Sequence, residues 1–109
     1  MKRVFSMNEV RQAIGENRLV LLLLKTGQCG VCEAVEAKAD GLLASHPAAT
    51  GISVYLEDAP DAASEFMAFA APTVLLMADG KEVYRITRFV RFEELEHKLA
   101  QYEEALAGE

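Results

Sequence analysis

Apolar residues fall along this chain at two different spacings. Over residues 19–25, LVLLLLK, they are consecutive, so both faces of an extended strand are apolar. That pattern suits a central strand covered by helices on either side. GISVYLED, residues 51–58, reads as a second buried strand. From Cys29 to about Ser45 the spacing changes to three and four residues, through Cys32, Val35, Ala39, Leu42 and Leu43, with Glu33, Glu36 and Lys38 on other faces. This is an amphipathic helix, with Gly41 as a candidate bend. Phe92, Leu95, Leu99, Tyr102 and Leu106 repeat the helical spacing near the C-terminus, and this stripe is expected to pack on the sheet.

Local signals place the remaining elements. Ser6 to Glu9, SMNE, fits a capping box that opens a helix through about Asn17, and Lys2–Phe5 before it suits a brief edge strand. Asp58 and Pro60 open a further helix to about Ala70, with Phe66, Met67 and Phe69 read as core residues. Asp79–Gly80 is a hairpin turn between TVLLM and EVYRITRF. The predicted order is therefore (β)αβαβαββα, an α/β start followed by an antiparallel hairpin and a closing helix, in one domain over residues 1–109.

Composition narrows the function classes. The formal net charge is −6, and the chain has no basic run and no tryptophan, which argues against a nucleic-acid surface. The longest aliphatic run, Leu19 to Leu24, is far shorter than the roughly 20 residues a membrane-spanning helix needs. No apolar segment follows the basic residues Lys2 and Arg3, so no secretory signal is expected. The expectation is a soluble, cytoplasmic monomer.

The two cysteines, Cys29 and Cys32, lie three apart in KTGQCGVC. Half a zinc site, a redox couple and two buried small residues all begin with such spacing. Zinc in a structural site takes four ligands, and one such pair supplies two. His46, in a loop, and His97, on the closing helix, are read as ordinary surface residues, so no metal site is expected unless two chains share one. The position of the pair favours redox chemistry. Cys29 follows a buried strand and opens a helix, where free N–H groups and the helix dipole favour an anionic sulfur. Cys32, one turn later on the apolar stripe, is expected to be the less exposed thiol. Cys29 is accordingly read as the attacking thiolate and Cys32 as the thiol that resolves the mixed disulfide.

Four features occur in series: the strand leading into the CGVC helix, YLED with its following helix, APTVLLMADGKEV, and a terminal amphipathic helix. With them the chain resembles the thioredoxin family over nearly its whole length. The resemblance implies a thioredoxin fold, with a central mixed sheet of four to five strands flanked by about four helices. It implies thiol–disulfide exchange by Cys29 and Cys32, and a cis Ala71–Pro72 bond whose backbone, with Gly30 and Val31, docks substrate. It also implies protein disulfides as substrates, no bound cofactor, and electrons from a separate reductase or a low-molecular-weight thiol.

The sequence departs from the family pattern beside the cysteines. Gln28 and Val31 stand where Trp and Pro usually precede the two cysteines, and Lys25 stands for a further Trp. The buried Asp that assists the resolving thiol falls at Leu23, and the Lys usually near it aligns with Ser53. Arg88 replaces a Gly in the loop after the hairpin. Glu33 and Glu36 favour a neutral Cys29, whereas Lys25 and Arg88, where they lie close, favour the thiolate. Arg85, Arg88 and Arg91 are otherwise read as solvated charge, with Arg88 as a candidate for partner selection. A binding module with catalytically weak cysteines is the alternative these departures support.

Overall fold

A computed structural model describes residues 1–109. Its elements are β1 (Lys2–Val4), α1 (Met7–Glu16), β2 (Leu19–Lys25), α2 (Gly30–Ala44), β3 (Thr50–Tyr55), α3 (Asp61–Glu65), β4 (Thr73–Ala78), β5 (Lys81–Thr87) and α4 (Phe92–Ala107). The five strands form one mixed sheet in the order β1-β3-β2-β4-β5. β1, β3 and β2 run parallel, whereas β4 is antiparallel to β2 and to β5. This is the thioredoxin fold.

The consecutive leucines of β2 are explained by the two layers on the sheet. Val20, Leu22 and Leu24 point to one face, where Met7 and Val10 of α1 and Ala62 of α3 cover them. Leu19, Leu21 and Leu23 point to the other, against Val35 and Ala39 of α2 and Leu95 and Leu99 of α4. A strand buried on both faces has no position left for a solvated side chain. Truncating a residue such as Leu22 to Ala would cost about 2–5 kcal/mol through lost burial and the cavity left behind.

The local signals act as their chemistry requires. Ser6 Oγ accepts the Glu9 N–H at 3.2 Å, and the Glu9 carboxylate reaches back to the Phe5 N–H, also at 3.2 Å. Asp79 and Gly80 both take positive φ, 48° and 80°, which suits the right-handed twist of a two-residue hairpin. The pairing then slips between Leu76 and Met77, leaving Val83 as an extra residue on β5. α2 continues unbroken through Gly41.

Three expectations are corrected. The α3 helix ends at Glu65 and does not reach Ala70. Met67 takes φ 51°, and the Ala68 N–H turns back to Ala63 O at 2.9 Å while the Met67 N–H reaches Ser64 O, a Schellman closure with a residue other than glycine. With the helix stopped, Phe66 still packs on the core, but Met67 and Phe69 are 71% and 78% exposed. Arg85 is not solvated charge: it donates to Met67 O at 2.9 Å and to Phe66 O, so its guanidinium caps the carbonyl end of α3 while pairing with Glu82.

Candidate active site

The strand order brings four loops to one end of the sheet. β2 and β3 both end there, after Lys25 and Tyr55, which are partners in register. β4 begins there, because Thr73 pairs with Leu24, and β5 ends there, because Thr87 pairs with Thr73. The helices that follow β2 and β3 cover opposite faces of the sheet, a topology that leaves a crevice at the strand ends. A surface depression of about 540 Å³ lies elsewhere, at the opposite end between α1 and the β4–β5 turn, and its Arg11, Arg18, Glu65 and Asp79 are already paired.

Residues 26–28 carry the chain from β2 to the cysteines. The Gly27 N–H donates to Glu57 Oε2 at 2.6 Å, so the loop after β3 steadies the loop after β2. Gln28 adopts φ 55°, turning the chain so that Cys29 becomes the N-cap of α2. Its sulfur accepts the Cys32 N–H at 3.1 Å, taking the capping role usually filled by a side-chain oxygen. Cys29 and Cys32 are joined as a disulfide, with Cα atoms 5.2 Å apart. Cys29 is half-buried, whereas Cys32 is 0% exposed. Gly30 and Val31, between them, are exposed. A hydrogen bond from the first turn of a 15-residue helix favours negative charge on the Cys29 sulfur once the disulfide opens.

The loop before β4 stands beside this turn. The Ala71–Pro72 peptide bond is cis, and Pro72 is buried. Thr73 Oγ1 donates to Ala70 O at 2.6 Å, and the Arg88 N–H donates to Pro72 O at 2.8 Å. The N–H and carbonyl of Ala71 pair with no other group of the chain, so this backbone is free to bond an incoming strand. Arg88 holds φ 68°. A side chain in that left-handed region costs roughly 1–2 kcal/mol, whereas the Gly usual at this position in the resemblance would sit there freely.

Lys25 is 4% exposed and lies in a charged cluster with the helix of the cysteines. Its ammonium donates to Glu33 at 3.1 and 3.2 Å and to Glu36, and lies 4.4 Å from the centre of the Tyr55 ring. Tyr55 Oη donates to Glu33 Oε2 at 3.2 Å. Burial alone would pull the ammonium's pKa down, but its bonds to Glu36, Tyr55 and Glu33 outweigh this and hold it above the ordinary value. The same hydrogen bond, from the other side, holds Glu33 below the usual carboxylate range. Lys25 therefore spends its charge on the two glutamates. Tyr55 was not singled out in the sequence, although its place as the strand-end partner of Lys25 follows once β2 and β3 are aligned.

Leu23 and Ser53 are partners in register and both fully buried, and the Ser53 hydroxyl finds no hydrogen-bond partner. No acid therefore lies beneath the cysteines on the sheet at these positions. No cluster of three or more His, Cys, Asp or Glu side chains has a geometry that could hold a metal ion. His97 is exposed, but His46 is largely enclosed, bonded to Glu103 with Glu96 at 3.5 Å, at the far end of α2. No helix is long and apolar enough to cross a membrane.

Comparison with known proteins decides the family. A thioredoxin of Chlamydia trachomatis is 31% identical over 85 residues, which cover 78% of this chain and 82% of that protein. The chain belongs to the thioredoxin family. Thioredoxin-like protein YdfQ of Bacillus subtilis matches the whole chain and 97% of its own length, at 29% identity. No family model matches the sequence. Among solved structures, thioredoxin NaTrxh of Nicotiana alata superposes with a TM-score of 0.82 at 26% identity, covering 93% of this chain and 90% of that one. Fasciola hepatica thioredoxin shares the fold with a TM-score of 0.83 over 94% of this chain and 99% of its own, at 23% identity. At the level of the family, the activity is thiol–disulfide exchange through a Cys-x-x-Cys pair.

Proposed function

We propose that this protein reduces disulfides in protein substrates, with Cys29 as nucleophile and Cys32 as resolving thiol. The observation that carries the reading is the half-buried Cys29 capping α2 beside a fully buried Cys32, next to the unpaired backbone of Ala71. In the reduced form, the Cys29 thiolate attacks one sulfur of the substrate disulfide. A mixed disulfide forms and the other substrate sulfur leaves as a thiolate, which takes up a proton. Cys32 then gives up its proton and attacks the Cys29 sulfur. The internal disulfide closes and the second substrate thiol departs, so the substrate gains two electrons and two protons. During attack, Ala71, with Gly30 and Val31, holds the substrate backbone, and cis Pro72 sets that edge.

In this reading residues 1–109 work as a single domain and a monomer in the cytoplasm, with neither nucleic acid nor membrane as partner. A separate disulfide reductase or a low-molecular-weight thiol returns the disulfide to the dithiol. The aliphatic Leu23 and unpartnered Ser53 favour a second reading, a binding module whose cysteines respond to redox state but turn over slowly. Insulin reduction by dithiothreitol separates the two. The enzyme accelerates it and Cys29→Ser abolishes the acceleration, whereas equal rates for both proteins leave the binding module. Cys32→Ser is expected to hold substrates as mixed disulfides.

A further inference from the structure

We propose that Arg88 selects substrates that carry a carboxylate beside the reacting disulfide; this rests on the reading of Cys29 and Cys32 as a protein-disulfide reductase. The backbone of residue 88 is fixed at the reactive edge, since its N–H donates to Pro72 O at 2.8 Å and Thr87 pairs with Thr73. Its side chain is exposed and makes no ion pair, hydrogen bond or aromatic stack. Every other arginine of the chain binds a carboxylate: Arg3 with Asp58, Arg11 with Glu65, Arg18 with Asp79 and Glu109, Arg85 with Glu82, and Arg91 with Glu94. In a chain of net charge −6, one guanidinium left free is a local exception. That exception stands at the edge where substrate must dock.

The left-handed backbone strengthens the case. Glycine would relieve that conformation, and the arginine side chain gains no ion pair, hydrogen bond or aromatic stack within the chain to offset it. Strain retained at an exposed position points to a role outside the fold. The nearby charges cannot supply the selectivity. Lys25 is committed to Glu33 and Glu36, Arg3 to Asp58, and Glu57 to the Gly27 N–H. Phe89, next in the chain and 84% exposed, with exposed Val31 at the same end of the sheet, adds apolar surface. That flank suits an extended peptide better than a small anionic disulfide. The guanidinium can grip an Asp or Glu side chain of such a peptide with two parallel hydrogen bonds.

The test uses two disulfide-linked reporter peptides that differ only by Glu or Lys beside the reacting cysteine. At low salt the wild type is expected to favour the Glu peptide in kcat/KM by about fivefold, the worth of one exposed charge contact. Added salt should shrink that ratio. Arg88→Gln should bring it close to one and Arg88→Glu should invert it, while Arg88→Lys keeps part of it. A wild type that reduces both peptides equally, or an Arg88→Gln variant that keeps the preference, overturns the selectivity and leaves the reductase standing. A wild type that reduces neither peptide and does not accelerate insulin reduction overturns both.

Discussion

Replacing Arg88 by glycine should make the protein more stable, and replacing it by alanine should not. The position has φ 68°, which costs a side chain with a Cβ roughly 1–2 kcal/mol. Alanine has the same Cβ, and the exposed arginine side chain it deletes makes no ion pair, hydrogen bond or aromatic stack, so Arg88→Ala should stay within about 0.5 kcal/mol of the wild type. Glycine removes the strain but loses roughly 0.5–1 kcal/mol through the greater freedom of the unfolded chain. The difference leaves Arg88→Gly ahead by about 0.5–1 kcal/mol. The N–H bond to Pro72 is a backbone contact and survives in both variants. With an unfolding entropy of about 2.1 cal/mol/K per residue, this chain should gain about 2–4 °C in Tm, or a matching shift in the urea midpoint at constant slope. Both variants should be compared in the oxidised form so that the disulfide is held constant. Equal stabilities for glycine and alanine would refute the strain argument. A stabilised Arg88→Gly that also loses preference for the Glu peptide would show that strain and selectivity belong to one residue.

Three further outcomes follow from the same contacts. Lys25→Met leaves Glu36 and Glu33 facing an apolar side chain, but Glu33 can turn to water; urea unfolding should show a loss of about 2 kcal/mol, below the 3–5 of a fully buried pair, and adding Glu36→Gln should recover part of it. The bond to Glu103 raises His46 despite burial, with help from Glu96, so its stabilisation is complete below the unfolded value near 6.5 and fades as pH rises through the higher folded value. Stability measured from pH 6 to 9 should fall accordingly, and Glu103→Gln should flatten the curve. Leu23→Asp puts a carboxyl into a fully buried aliphatic site, where burial raises its pKa; the variant should lose about 3–5 kcal/mol at neutral pH and less in acid, while single-turnover closure of the Cys29–Cys32 disulfide speeds up above neutral pH.

The order of elements, the helix faces and the cysteine turn were legible because each rests on a short-range rule. Six consecutive aliphatic residues in Leu19–Leu24 can be buried on both sides only in a central strand, and the Ser6 cap and Asp79–Gly80 turn depend on neighbours within a few residues. The end of α3 was not legible. Apolar residues at 66, 67 and 69 continue a helical pattern, but the helix closes at Met67 with φ 51°, and the carbonyls of Phe66 and Met67 left there are taken by Arg85, nineteen positions beyond Phe66 and on another element. The Lys25 cluster was partly legible. The sequence put Glu33 and Glu36 near the first turns of the helix, but their capture of Lys25 depends on the side-chain parity of β2 and on the register that sets Tyr55 opposite. Arg88 was legible as the arginine for partner selection; that it alone is unpaired became visible only with the partners of Arg85 and Arg91.

The departures from the family pattern share a physical direction. Leu23 and Lys25 lie on the same face of β2, two residues and so roughly 7 Å apart. Where the resemblance has an acid at the first and an aromatic ring at the second, this chain has a hydrocarbon and then a cation. The cation draws in Glu33 and Glu36, which follow Cys29 and Cys32 by four positions each on α2. Side chains on a helix lean toward its N-terminus, so these two carboxylates lie over the turn that carries the sulfurs. Charge has thus moved from the sheet beneath the dithiol to the helix that bears it, where it is half solvated and held by Lys25. Carboxylates in that position can take up a proton only by loosening their hold on the ammonium. That cluster is not the equivalent of the independent buried acid that the family resemblance implies.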